Sequence, residues 1–210
     1  MYIRAIPFVL FVFLTALQGE LKNQGPFILY TAKTVLGIGL ILSMKPFVSE
    51  MRWNISWEAV LVGVVVFVIW VGIDPYYPQW GLGKGFWNPQ AELGEKSPLA
   101  WFYMIARILG MTFVVPPLEE VFYRSFLYRF ISMQDFEKVP MSRFLPIPML
   151  AGAAIFGFSH TQWLAGILCG LAYQGLVLRK NRLGDAITAH AFTNFLLGCY
   201  VVWKGAWQFF

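Results

Sequence analysis

Six side chains have the types and spacing to do chemistry: Glu119, Glu120 and Arg124 in one stretch, His160 in a second, His190 and Asn194 in a third. The first stretch reads Pro116-Pro117-Leu118-Glu119-Glu120-Val121-Phe122-Tyr123-Arg124. Two prolines break the preceding helix and preset the first turn of the next. Acidic residues in that turn face the positive end of the helix dipole. Glu120 and Arg124 are four apart and share a helical face, so they can pair. Glu119 lies about 100° further round and cannot share that pair equally. One carboxylate is then neutralised and structural, the other free to handle a proton. The same residues also read as an interfacial helix start with a solvated ion pair. In Phe156-Gly157-Phe158-Ser159-His160 the histidine is either a satisfied core residue or a functional one. In His190-Ala191-Phe192-Thr193-Asn194 an imidazole and an amide share a face. They serve either as glue between helices or as two donors aimed at one oxygen. The chain has only two histidines, and both fall in these polar islands. A glutamate, two histidines and an asparagine on three helical segments are the groups needed to activate a water and stabilise an oxyanion.

The elements that must position them are membrane helices. Of 210 residues, 58% are hydrophobic, 18% aromatic and 13% charged, against about 25% charged in soluble domains. Mean hydropathy is +0.61. This composition excludes a disordered tail, a nucleic-acid-binding basic domain and most soluble classes. The net charge of +5 comes with no polybasic tract, so it reads as topology. Cys169 and Cys199 sit in apolar runs as small core residues, with no disulfide framework or zinc knuckle. The apolar start from Tyr2 to Leu17 lacks a small-x-small cleavage site and reads as a retained membrane segment.

Spanning helices need about 17–25 apolar residues. The candidates are Tyr2–Gln18, Phe27–Phe47, Trp57–Ile73, Leu99–Val115, Phe144–Ser159, Trp163–Leu178 and Ala186–Trp203. The runs are too long, and alternate too little, for barrel strands. The fold class is therefore all-α, a polytopic integral membrane protein of about seven or eight transmembrane or re-entrant helices. With the N-terminus inside, the first four segments crossing and Leu118–Met133 not crossing, nine cations fall inside: Arg4, Lys45, Arg52, Arg129, Lys138, Arg143, Arg179, Lys180 and Arg182. Four fall outside, Lys22, Lys84, Lys96 and Lys204, the bias expected of inner loops. Phe144–Leu178 then forms a hairpin whose ends both lie on the positive side, with the polar turn Ser159–Gln162 deep in the protein. If Leu118–Met133 crosses instead, all that follows inverts. Lys33, Arg107 and Arg124 remain within or beside apolar segments. The Asp74–Pro98 loop, with Tyr76, Tyr77, Trp80, Phe86 and Trp87, reads either as a lid on the lipid headgroups or as a surface loop with aromatic anchors.

Glu119-Glu120…Arg124, Phe156…His160 and His190…Asn194 resemble, in order and without departure, the three motifs of the CPBP family of intramembrane proteases (CAAX proteases and bacteriocin-processing enzymes, also called ABI). The Ras-converting CAAX prenyl endopeptidases belong to that family. The resemblance covers roughly Leu99 to Trp203. It divides a single membrane domain, 1–210, into a core at 99–203 and accessory helices with the aromatic loop at 1–98. It implies a glutamate-dependent endopeptidase acting near the C-terminus of a membrane-associated protein, prenylated or otherwise sorted. Glu119 would be the general base, with His160 sharing activation of the water. His190 and Asn194 would form the oxyanion hole, and Glu120 and Arg124 would brace the helix. No cofactor is then needed; a zinc version would use Glu119, His160 and His190 as ligands. The implied partners are membrane lipid and the protein substrate, with no nucleic acid, and the implied location is a bacterial inner membrane. Trp70-Val71-Gly72-Ile73-Asp74-Pro75-Tyr76-Tyr77-Pro78 also looks like a bacterial subgroup associated with exosortase and PEP-CTERM sorting. Gly-x-Ser-x-Gly is absent, and Asp74, Asp135 and Asp185 are expected in loops rather than as a catalytic pair. Outside the protease class, the alternatives are a small transporter using Lys33, Arg107 and buried histidines, or a silent scaffold or immunity protein on the same fold.

Overall fold

The computed structural model describes residues 1–80 and 87–210, so Lys84 and Phe86 lie outside the described residues. Secondary structure among the described residues is entirely helical. The long helices are α1 (Tyr2–Glu20), α2 (Gly25–Met44), α3 (Trp57–Ile73), α5 (Pro98–Phe113), α8 (Pro146–Phe158), α9 (Trp163–Lys180) and α10 (Gly184–Lys204). Short helices α4 (Pro89–Leu93), α6 (Val115–Glu120) and α7 (Tyr128–Ser132) complete the set. Local chemistry sets many of the boundaries. Ser56 and Ser97 cap α3 and α5 by accepting from the Ala59 and Ala100 amides. Proline opens α2, α5 and α8. Asn181 and Gly205, both left-handed, close α9 and α10. Five runs are long and apolar enough to cross a membrane: Tyr2–Glu20, Gly25–Met44, Trp57–Tyr76, Pro98–Ser132 and Gly184–Lys204. With the α8–α9 hairpin they make a polytopic helical membrane protein, as the composition predicts. Helix α10 is central, packed on α3, α5, α6 and α9.

One correction concerns the middle of the chain. Leu118–Met133 is not a separate non-crossing segment. It continues α5 after a break at Val114 as α6, a π-helical turn (Val121–Leu127) and α7. Pro116 and Pro117 lack the N–H groups that the Thr112 and Phe113 carbonyls would bond, so the rod breaks there without ending. The whole run has 35 residues. At 1.5 Å per residue it is about 52 Å long, more than a hydrocarbon core of about 30 Å, so a single passage accommodates both halves. The Ser159–Gln162 turn closes the α8–α9 hairpin beside the end of α3, with Gln162 buried. His160 meets Trp70 at the end of α3, and the Thr161 carbonyl accepts from the Trp80 amide at 3.1 Å. Trp163 Nε1 donates to the Pro78 carbonyl at 2.8 Å. The 74–80 segment is thereby pinned onto the hairpin tip, and Trp87 is buried against Phe27 and Phe210 rather than anchored at the interface.

The opposite end is ionic. Arg4 pairs with Glu50 at 2.9 Å and Glu137 at 2.6 Å, Arg129 with Glu50 at 3.4 Å, and Lys180 with Glu58 at 2.5 Å. Asp185 is not in a loop: it is fully buried in the first turn of α10, bonded by Arg182 and Ser56. A carboxylate there answers the exposed amides of the helix start. These pairs gather the start of α1, the α2–α3 connection, the end of α7 and the α9–α10 turn at one end, carrying with them most of the cations assigned to the inside. Burial pushes the Glu50 carboxyl up, but hydrogen bonds from Arg4 and Ser125 outweigh it and hold the group below the ordinary carboxylate range.

Close backbone approach is the other constraint. A Cβ on Gly63 of α3 would lie 2.6 Å from the Ala189 carbonyl oxygen and 2.8 Å from Phe192 Cβ on α10. Gly157 and Gly166 play the same part where α8 crosses α9. Gly63→Leu should therefore lower the thermal midpoint in detergent by several degrees, whereas Gly39→Leu, where a Cβ meets nothing within 4 Å, should leave it within about a degree. For Glu50, whose folded-state pKa is lowered, the stabilisation is complete above the ordinary carboxylate pKa and is lost as pH falls through the folded value. Glu50→Gln should cost about 1–3 kcal/mol at pH 7, and should flatten the fall in midpoint between pH 6 and 3; an equally steep fall in the variant would assign it to other groups.

Candidate active site

The Pro116-Pro117 break sets α6 so that its two glutamates diverge. Glu120 is fully buried; its Oε1 lies 3.2 Å from Arg124 Nη1 and 2.9 Å from His190 Nδ1. Arg124 sits in the π-helical turn, where its guanidinium covers the Phe156 ring at 4.6 Å and donates to the Gly170 carbonyl at 3.4 Å. Glu119 points elsewhere. Its side chain keeps 14% exposure, its Oε2, like that of Glu120, has no hydrogen-bond partner, and His190 Nε2 lies 3.9 Å from it. Arg124 thus pairs with Glu120 and not with Glu119, as the spacing of four predicts.

His160 follows the last turn of α8, and its Nδ1 lies 2.7 Å from the Phe156 carbonyl oxygen. A carbonyl only accepts, so the proton is on Nδ1 and Nε2 carries the lone pair. Edge contact from Trp70 at 5.5 Å and the Phe156 ring at 4.7 Å fix the imidazole plane. His190 is 4% exposed and stacks on Tyr173 at 5.1 Å between ring centres. Its Nδ1 donates to Glu120, so Nε2 faces Glu119. Acting as an oxyanion donor, His190 would carry protons on both nitrogens, with a carboxylate beside each. One turn on, Asn194 donates through Nδ2 to the Met111 carbonyl at 2.7 Å. The amide has a second N–H to offer.

Glu119, His160, His190 and Asn194 all line one cavity of about 560 Å³, which is in the range of small-ligand sites. Glu120 and Arg124 stand behind its wall. Several contributors carry no motif signal. Tyr173 donates to Thr193 Oγ1 at 2.7 Å, and Thr193 is 2.9 Å from the Gly63 carbonyl, so His190 is braced from α9 and α3 together. Tyr123 donates to Ser159 at 3.4 Å. The only sequence signal for these residues is a polar atom at membrane depth. Helices α1 and α2, read from sequence as accessory, supply Phe8, Phe11 and Lys33 to the same wall. As placed, the donors do not make a metal site: among the described residues no three His, Cys, Asp or Glu side chains gather closely enough to hold an ion.

Residues 100–196 match the family model described as Type II CAAX prenyl endopeptidase Rce1-like. The match begins beyond the Trp70–Pro78 stretch, so it does not bear on the exosortase-associated subgroup. Neither a curated protein nor a solved structure matches the chain. The matched segment contains all three motifs, the π-helical turn and four of the cavity-lining side chains just described. Over residues 100–196, the stretch that carries the three motifs, the chain is therefore similar to the Rce1-like CAAX prenyl endopeptidases.

Proposed function

We propose that the protein is a bacterial inner-membrane endopeptidase that cleaves near the C-terminus of a membrane-associated substrate by metal-free, glutamate-dependent hydrolysis. The observation carrying this reading is the division of labour between adjacent glutamates. Glu120 stands behind the wall with its Oε1 held by Arg124 and His190, while Glu119 lines the cavity that also receives His160, His190 and Asn194. In the proposed step, a water held by Glu119 and His160 Nε2 gives its proton to Glu119 as its oxygen attacks the scissile carbonyl carbon. The oxyanion accepts from His190 Nε2–H and the free N–H of Asn194. Collapse breaks the C–N bond as Glu119 returns the proton to the leaving amine. The scattered donor geometry supports the metal-free version over zinc chemistry.

The assay is cleavage of a quenched peptide in which S-farnesylcysteine is followed by three residues and a free C-terminus, with purified protein in nanodiscs. Glu119→Gln and His160→Ala should fold normally and each lose about 10²–10⁴ in rate; wild-type rates in both variants would overturn the assignment. Asn194→Ala should lose about 10²–10³ in kcat. Rates unchanged by a chelator, with less than one equivalent of metal in active protein, are expected; activity that tracks zinc content would replace the mechanism. The neighbouring glutamate should behave differently. Glu120→Ala leaves Arg124 and His190 without their buried counter-charge and should cost about 3–5 kcal/mol, seen as a lower midpoint and not only as lost activity.

A further inference from the structure

Lys33 and Arg107 are two cations at membrane depth that hydrolysis does not use, yet both line the cavity that holds Glu119, His160, His190 and Asn194. Lys33, in α2, is 3% exposed. One of its three N–H donors goes to Thr15 Oγ1 at 2.8 Å; its other close neighbours are the faces of Phe11 at 4.9 Å and Tyr30 at 4.7 Å. Arg107, in α5, lies against the rings of Tyr30, Trp87 and Phe210 at 4.7, 4.6 and 4.8 Å. Among the described residues no ion pair includes either cation, and the carboxylates that do pair are taken by other bases. Residues 81–86 contain a lysine and no acid. Two positive groups therefore share the Tyr30 ring with no anion between them. Like charges repel most where water is scarce, and aromatic faces offset only part of that. What the arrangement lacks is an anion.

We propose that Lys33 and Arg107 bind the α-carboxylate of the substrate's C-terminus and so set how far from that end the chain is cut. The proposal rests on the peptidase reading above. Distance along the rod supports it. Arg107 is four residues before Met111, whose carbonyl holds Asn194, and twelve before Glu119. At a rise of 1.5 Å per residue these are about 6 and 18 Å. An extended peptide covers about 3.3–3.6 Å per residue, so a tail of three to five residues spans about 10–18 Å. A guanidinium grips a carboxylate through two parallel N–H bonds, and an ammonium adds a point charge. Phe11, Tyr30 and Phe210 give the pocket an apolar wall that suits a hydrophobic final side chain.

The test uses Glu119→Gln protein in nanodiscs, which binds without cutting, and the farnesylated peptide as its free acid and as its C-terminal amide, labelled for anisotropy. The acid should bind about 10–100 times more tightly than the amide. That preference should vanish in Glu119→Gln combined with Arg107→Gln or with Lys33→Met, and should persist with the charge-keeping Arg107→Lys, which controls for folding. Equal affinity for acid and amide, including no binding of either, overturns the proposal. So does a preference that survives both charge removals. A pair built for a lipid phosphate would bind acid and amide alike and release both as phosphatidylglycerol is raised in the nanodisc. The two readings fail separately. Cleavage of acid and amide at equal rates sinks the carboxylate site and leaves the peptidase standing. An acid preference in a protein that cleaves neither peptide does the reverse.

Discussion

A carboxylate with no exposed surface, placed in an apolar bundle, is tolerated only if opposite charge and hydrogen-bond donors offset its burial. Glu120 receives them at Oε1, from Arg124 on its own rod and His190 on α10, and most of the site's geometry follows from those two contacts. The pair fixes α6 against α10, which fixes the face on which Glu119 emerges. It also orients the His190 ring, because Nδ1 is committed to Glu120 and Nε2 must face the cavity. Arg124, drawn inward, lies over Phe156 and bonds the Gly170 carbonyl, so the α8–α9 hairpin is held by the same charge. His160, on that hairpin, is carried to the opposite wall.

The π-helical turn at Val121–Leu127 belongs to the same economy of charge. Such turns are rare and concentrate at functional sites. Here one turn sends Arg124 inward to Glu120 and Ser125 to Glu50, joining the motif cluster to the ionic end through two consecutive residues. At that end Arg4, Arg129 and Ser125 meet on one Glu50 oxygen. The helices outside the matched family segment are thus tied to the motif rod by charge as well as by apolar packing. Phe8, Phe11 and Lys33 then reach the cavity from α1 and α2, so the wall of the site is built by both halves of the chain.

The motif residues were legible in the sequence because the background is so poor in charge. In a chain of 13% charged residues with two histidines, any polar group at membrane depth is conspicuous, and the spacing of four between Glu120 and Arg124 points to their pairing before any contact is seen. The spanning runs were legible for a similar reason, since membrane thickness sets a length that hydropathy reports directly. The rod from Pro98 to Ser132 was harder to read. Prolines mark a break, but whether the rod ends or bends depends on neighbours that take over the released carbonyls. Asp185 looked like a loop residue because nothing local announces Ser56, more than a hundred residues earlier, as its partner.

Sequence by itself determined the solvent, the number of long apolar segments, the end on which cations gather and the order of three polar motifs, since each depends on composition or on short, fixed spacings along one helix. Only the tertiary structure decided that His190 joins Arg124 on Glu120, how each imidazole is held through Nδ1, and that Lys33 and Arg107 face the same cavity. Those facts depend on which helices touch and at what rotation. Such contacts are set by glycine approaches such as Gly63 on Ala189 and by buried charges that must find partners wherever the fold can bring them.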